Sequence, residues 1–195
     1  MESLASLSTT EIVNRAFAEG MIQVKEEITA FCDFLRERQP RNMLEIGSES
    51  GGTFYLWCQL VSGLKISLDL PNGASGSWRF IDPQLLAERN QKMLSWAPNV
   101  RLLTGDSHDL AMQQRVRDLL GSQTLDLLFI DGDHSYEGVK QDFEMYREFV
   151  TTPGGLIAFH DIQHLGPQQL WAELGGNKRE FNRHLHWAGI GVIEL

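Results

Sequence analysis

What most constrains this chain is an alternation of two periods. Five short apolar runs, Asn42 to Ile46, Leu64 to Asp69, Val100 to Leu103, Leu125 to Ile130 and Leu156 to Phe159, are each separated from the next by a longer stretch, most with helical spacing. The last two are continuous apolar runs, the pattern of strands covered on both faces. A chain of this kind buries its apolar faces by laying the strands into one mainly parallel sheet with helices on both sides, a doubly wound α/β fold. The tail adds two further strands, around Arg179 to Arg183 and Ile190 to Leu195, read as a C-terminal antiparallel hairpin.

The helical stretches carry their own punctuation. Ser8 and Glu11 stand in capping-box relation, and Val24, Ile28, Phe31 and Leu35 recur on one helical face until the Gln39-Pro40 step. Phe54 to Val61 reads as a helix stopped at Gly63, and Asp82-Pro83 opens another to about Trp96. Ser107 to Leu120 is closed by Gly121, Val139, Phe143, Tyr146 and Val150 mark one face of the next helix, and Pro167 opens the last, through Leu174. The segment from Pro71 to Ile81 has no regular period, and its Trp78 is assigned to a lid or an interface, whereas Trp57, Trp96 and Trp171 fall in apolar helical patterns and read as core.

Residues 1–195 are expected to form one domain, with helices over 1–40 and a core over 41–195, since 195 residues at 42% hydrophobic suffice for a single interior. The formal charge of −9 argues against nucleic acid as a partner, because phosphate backbones are bound by clustered Lys and Arg. No apolar run suggests a membrane span and MESLASLSTT does not read as a secretory signal, so a cytoplasmic location is expected. Cys32 and Cys58 lack metal or redox spacing and read as reduced, packed thiols.

In a sheet of this class the chemistry lies beyond the carboxyl ends of the strands. Found there are Glu45 and Gly47, Asp69, Asp106, Asp131 with Asp133 and His134, and His160 with Asp161. Each acid alone has an ordinary reading as a turn or cap residue, but five at corresponding positions point to a ligand. The first turn, Gly47-Ser48-Glu49-Ser50-Gly51-Gly52, has neither dinucleotide nor P-loop spacing. With Glu45 beside it, it suits a ligand bearing an amine and a carboxylate. Asp69 lies twenty-four residues after Glu45, near the offset at which an acid reaches ribose hydroxyls, and Asp106 is placed to accept from an adenine amine. Together these groups describe S-adenosylmethionine.

The segments LEIGSESGGTF, ISLDLP, LTGDSHD, LLFIDGDHSYEGVKQDFEMY and PGGLIAFHDI resemble the Rossmann-like class I S-adenosylmethionine-dependent methyltransferases. Within them they resemble the small O-methyltransferase branch that includes macrolide-sugar O-methyltransferases and cephalosporin hydroxylase-like proteins. The resemblance implies that Glu45, Gly47, Gly51 and Gly52 line the methionine end of the cofactor, Asp69 the ribose, and Asp106 and Ser107 the adenine, with Asp131 at the boundary of cofactor and metal. It implies that Asp131 and Asp161 ligate a divalent cation, Mg²⁺ by its preference for carboxylate oxygens, and that His134 is the general base. His160, where some relatives carry a second carboxylate, becomes the third candidate ligand. The acceptor is expected to be a small molecule with adjacent oxygens, a sugar hydroxyl or a phenol, and the N-terminal helices are expected to form a substrate cover or a homodimer contact.

Bland readings stand beside these. His134 can cap the following helix, Asp133 reads as a first-turn acid with a third metal ligand as its alternative, Tyr136 divides evenly between ligand contact and packing, and His164, His184 and His186 read as surface or packing residues. Two competing functions also remain: a nicotinamide-dependent or sugar-modifying enzyme, disfavoured by the glycine spacing, and a non-catalytic nucleotide-binding module, kept open by His160.

Overall fold

Strand-length apolar runs that must be covered on both faces do pair side by side. The computed structural model describes residues 7–70, 82–182 and 188–195. Its seven strands are β1 (Met43–Ile46), β2 (Lys65–Asp69), β3 (Val100–Thr104), β4 (Leu127–Ile130), β5 (Leu156–Phe159), β6 (Asn177–Phe181) and β7 (Ile190–Glu194), in the order β3-β2-β1-β4-β5-β7-β6. The first five are parallel, whereas β7 runs antiparallel to both β5 and β6. The chain leaves β1 toward β2 on one side, and β4 enters on the other, so the strand order reverses between β1 and β4. The resulting crevice lies at their carboxyl ends.

Among the described residues seven α-helices flank the sheet: α1 (Thr9–Ala18), α2 (Lys25–Arg38), α3 (Gly52–Leu60), α4 (Pro83–Ser95), α5 (Leu110–Leu120), α6 (Tyr136–Tyr146) and α7 (Leu165–Glu173). Because side chains alternate across a strand, β1 sends Met43 to one face and Leu44 and Ile46 to the other. Met43, Leu127 and Phe129 pack with α1, α2 and α3 on the first face, while Leu44, Leu128 and Ile130 pack with α5, α6 and α7 on the second. Phe31 of α2 is the hub of the first face, with its ring centroid 6.0 Å from that of Phe129, 5.8 Å from Trp57 and 5.4 Å from Phe181. The N-terminal helices are thereby part of the same core. Trp57, Trp171, Cys32 and Cys58 are buried, while Trp96 is half-buried.

Several boundaries differ from those read off the sequence, each for a local reason. The Ser8 capping box forms as expected. The helix after β3 starts at Leu110 under an Asp109 cap rather than at Ser107, since Asp106 to His108 form a loop. The periodic face ending at Val150 belongs to α6 only as far as Tyr146; a 3₁₀ turn over Arg147–Phe149 follows, and Val150 pairs with Leu125 ahead of β4. The last helix begins at Leu165, which places Pro167 inside its first turn, where no backbone donor is needed. β6 lies two residues earlier than the spacing suggested. Trp78, the 71–81 segment, His184 and His186 lie outside the described residues.

None of the helices among the described residues is long and apolar enough to cross a membrane. Truncating the hub tests whether α2 is integral to the fold. Phe31→Ala is expected to destabilise the protein by about 3–5 kcal/mol, read as a fall in the urea midpoint, because the void would open against three aromatic rings.

Candidate active site

The crevice is built on one close approach. Gly47 follows β1 in the left-handed region (φ 84°), and a Cβ there would stand 2.2 Å from the carbonyl oxygen of Asp131. Only glycine lets the turn after β1 and the loop after β4 meet at this distance. Gly51 and Gly52 make room of a different kind. A Cβ on Gly52 would lie 2.2 Å from the backbone nitrogen of Met21, and one on Gly51 would lie 2.9 Å from the sulfur of Met93. Their missing side chains admit the linker between α1 and α2, and α4, onto the turn.

Glu45, expected on the rim, sits inside β1 and is fully buried. Trp57 Nε1 donates to its Oε1 at 2.7 Å, and Ser48 Oγ lies 2.6 Å from Oε2 and 2.7 Å from Ser67 Oγ. Burial pushes its pKa up to about 8, against the lowering effect of those two bonds. The residue therefore ties the turn to α3 from below. Asp69 does reach the rim. Its Oδ1 accepts from the backbone N–H groups of Ser48 (3.1 Å) and Glu49 (3.4 Å), and Arg89 of α4 pairs with Oδ2 at 2.9 Å.

Asp106 lies at the end of β3 with a largely exposed side chain, where its Oδ1 accepts from the backbone N–H of His108. The loop it belongs to is held by one stripe of α6. His108 Nε2 is 3.3 Å from Asp142 Oδ1 and 3.2 Å from the carbonyl of Gly138, and Tyr146 Oη donates to the carbonyl of Ser107 at 2.7 Å. Asp142 is fully buried, and its bond to His108 is the main cause raising that imidazole to about 9. Neither His108 nor Asp142 was singled out from sequence, although their place in the TGDSHD and DGDHSYEGVKQD segments was the available signal.

The densest cluster lies across the crevice. Asp131, His160 and Asp161 offer ligand atoms that all lie within 4.8 Å of one another. His160 Nδ1 is 3.0 Å from Asp131 Oδ1 and 3.4 Å from Asp161 Oδ2, and His134 Nε2 is 2.7 Å from the same Asp161 oxygen. Asp161 adopts a left-handed backbone (φ 57°), a conformation that Asp tolerates at a cost of about 1–3 kcal/mol, and this turns the chain sharply after β5. Burial works against the charge on His160, but the Asp131 and Asp161 carboxylates raise it to about 10. Burial works against the charge on Asp161, but its hydrogen bonds to His134 and His160 hold it below the usual carboxylate range, and His134 is raised chiefly by its bond to Asp161.

The donor set fits a divalent cation. Two carboxylates and an imidazole converge, and Asp161 Oδ1 and His160 Nε2 are buried without a partner. Gln23, which no sequence pattern marked, also reaches this cluster, donating from Nε2 to Asp131 Oδ2 at 3.1 Å. Asp133 instead caps the turn into α6 by accepting from the backbone N–H of Ser135. Tyr136 donates to Glu173 and packs between α6 and α7, and the His164 ring stands edge-on to His134 with 6.2 Å between centroids.

A family model described as a methyltransferase domain matches residues 44–162. Among solved structures, the chain is similar to the O-methyltransferase TomG from Streptomyces achromogenes, involved in tomaymycin synthesis and solved with S-adenosylmethionine. The identity is 14%, covering 96% of this chain and 89% of that one, with a TM-score of 0.61. An O-methyltransferase from Bacillus cereus in complex with S-adenosylhomocysteine matches at 15% identity over 97% and 92% of the two chains, with a TM-score of 0.59. The MycE methyltransferase of the mycinamycin biosynthetic pathway, solved with Mg and S-adenosylhomocysteine, matches at 22% over 87% and 42%, with a TM-score of 0.54. Two curated relatives, uncharacterized proteins of Sinorhizobium fredii and Acanthamoeba polyphaga mimivirus, are 26% and 30% identical over 80% and 65% of this chain. The aligned stretches span only 17% and 54% of their own lengths.

The buried carboxyl of Glu45 gives a pH test of this geometry. Its folded-state pKa of about 8 exceeds the ordinary value of 4.5, so the stability it contributes is complete below about pH 4.5 and is lost as pH rises through 8. Glu45→Gln keeps an acceptor for Trp57 and a donor for Ser48 while removing the titration. The variant is expected to gain stability relative to the parent between about pH 5 and 8 and to level off above that, measured by urea unfolding at each pH; a constant difference would mean that Glu45 does not titrate in that window.

Proposed function

The chain belongs to the methyltransferase-domain family and has the class I fold, and from that premise we propose that it moves a methyl group from S-adenosylmethionine to a hydroxyl oxygen of a small acceptor, assisted by a divalent cation. The observation that carries this reading is the placement of two unlike groups on opposite sides of the β1–β4 crevice. The Gly47 turn and Asp69 lie on one side, and Asp131, His134, His160 and Asp161 lie on the other.

Asp69 stands at the end of β2 with Oδ2 buried against Arg89 and Oδ1 turned to the glycine turn, which leaves Oδ1 as the oxygen that would accept from a ribose hydroxyl. The Asp106 and Ser107 loop lies one strand further out, at the adenine end, and the turn after β1 lies toward the methionine end. The leaving group is a sulfonium. The S–CH₃ bond breaks as the O–CH₃ bond forms, the sulfur keeps the electron pair as S-adenosylhomocysteine, and the hydroxyl proton must go to a base. His134 fills that role by position, since its ring lies beside Asp161 and keeps a third of its surface open to an incoming acceptor. Asp131, Asp161 and His160 would hold the cation, which, when bound, lowers the pKa of an acceptor hydroxyl and fixes its direction. The two carboxylates suit Mg²⁺ or Mn²⁺, and the imidazole favours the transition ion of that pair. The net charge of −9 and the absence of clustered cations in the sequence favour a small-molecule acceptor over nucleic acid.

One observation supports a second reading, in which the transfer needs no cation. Asp131 Oδ1 already has His160 Nδ1 at 3.0 Å and Asp161 Oδ2 has His134 Nε2 at 2.7 Å, so each carboxylate has a partner among the cluster's own side chains. Titration with Mn²⁺ and Mg²⁺ separates the two.

Calorimetric titration with S-adenosylhomocysteine tests the donor. The parent is expected to bind it, and Asp69→Ala to bind at least tenfold more weakly, the loss expected of a charged hydrogen bond worth about 1.5–3 kcal/mol. No binding by the parent would remove the donor reading. For the base, His134→Ala is expected to lower turnover by about 10²-fold or more while leaving S-adenosylhomocysteine affinity near that of the parent. A full rate with any acceptor that the parent methylates would show that the proton goes elsewhere.

A further inference from the structure

The N-terminal helices meet the acidic cluster at a single side chain. Gln23, in the linker between α1 and α2, donates from Nε2 to Asp131 Oδ2 at 3.1 Å, across 108 positions of sequence. A carboxylate only accepts, so the amide nitrogen must face it, which fixes which way round the amide sits. The linker is held there from three directions. Ser50 Oγ donates to the carbonyl of Gly20 at 2.7 Å, the Met21 backbone fills the space that a side chain at Gly52 would take, and Glu19 forms an ion pair with Lys92 of α4. Gln23 is thus delivered to Asp131 by two anchors on the glycine turn that opens the crevice and a third on α4.

What that bond does follows from the carboxylate's own freedom. The terminal torsion of an aspartate is broad and roughly two-fold, so an unrestrained Asp131 would divide its time between orientations. With Oδ2 taken by Gln23, Oδ1 is left 3.0 Å from His160 Nδ1, facing the other two donors. We infer that Gln23 is a positioning residue of the cation site: its amide N–H fixes Asp131 so that one oxygen is presented as a ligand, and the α1–α2 linker is therefore part of that site although it lies outside the stretch matched by the family model. The inference rests on the cation site proposed above. It makes affinity for the metal depend on a residue that need not touch the metal at all.

The test uses the full chain and Mn²⁺ alone, with free Mn²⁺ followed by its electron paramagnetic resonance signal. The parent, Gln23→Leu and Gln23→Ala are compared, and each is also unfolded thermally without metal. Leu keeps most of the bulk and lacks the donor. Both variants are expected to bind Mn²⁺ at least about tenfold more weakly, the usual scale for removing a group that orients a metal ligand, with the Leu variant unfolding close to the parent temperature. Unchanged Mn²⁺ affinity in the Leu variant overturns the inference and leaves the cation site standing, even if its unfolding temperature falls, because that result is what a purely packing role gives. If the parent itself binds no Mn²⁺, the inference falls together with the cation reading, and S-adenosylhomocysteine titration of the same sample shows whether the donor reading survives.

Discussion

The meeting of the Gly47 turn with the carbonyl of Asp131 is the contact on which the rest of the site depends. It joins the two halves of the sheet at the point where the strand order reverses, so every group beyond β1 and β2 is placed relative to every group beyond β4 and β5 through that one approach. A side chain at position 47 would force the halves apart by more than packing can absorb, and the left-handed backbone there would be strained as well. The spacing between the groups beyond β1 and β2 and those beyond β4 and β5 is therefore a property of backbone geometry, set before any polar side chain is considered.

The polar side chains then solve a problem of charge. Glu45, Asp69, Asp131, Asp142 and Asp161 bring five acids into or beside a small crevice, and each is handled differently. Glu45 is held neutral by burial around ordinary pH, Asp69 is paired with Arg89, and Asp142 is paired with His108. Asp131 and Asp161 share His134 and His160. Paired carboxylates that would otherwise repel one another can stay ionised and close together because each has a specific partner. The last pair differs from the others in converging with an imidazole, so that three potential ligand atoms lie within 4.8 Å of one another, an arrangement found at no other place among the described residues.

The parallel sheet and its order of elements were legible because five apolar runs with helical intervals allow few other folds, and the acids at the strand ends were legible because that fold puts chemistry at those ends. Asp131, His134, His160 and Asp161 do come together. Less legible was anything decided by side-chain direction or by distant contact. Glu45 looks like a rim residue in sequence, yet strand alternation turns it toward Trp57. Gly51 and Gly52 look like a ligand turn, yet the space they leave is taken by Met21 and Met93. Gln23 carries no local signal, since its partner is 108 residues away. Ser107 resembled a helix start because a Ser before a helical stretch is a common cap, but Asp109 supplies the cap and frees the preceding loop.

That loop gives α6 a mechanical role. One end of the helix grows directly out of the Asp131 to His134 segment, and its Gly138, Asp142 and Tyr146 grip residues 107 and 108 at successive turns. A helix is stiff along its axis, so it behaves as a beam fastened at both stations. Displacing the loop after β3 would drag the acidic segment with it, and the spacing between the two ends of the crevice is kept constant by the length of a single rod.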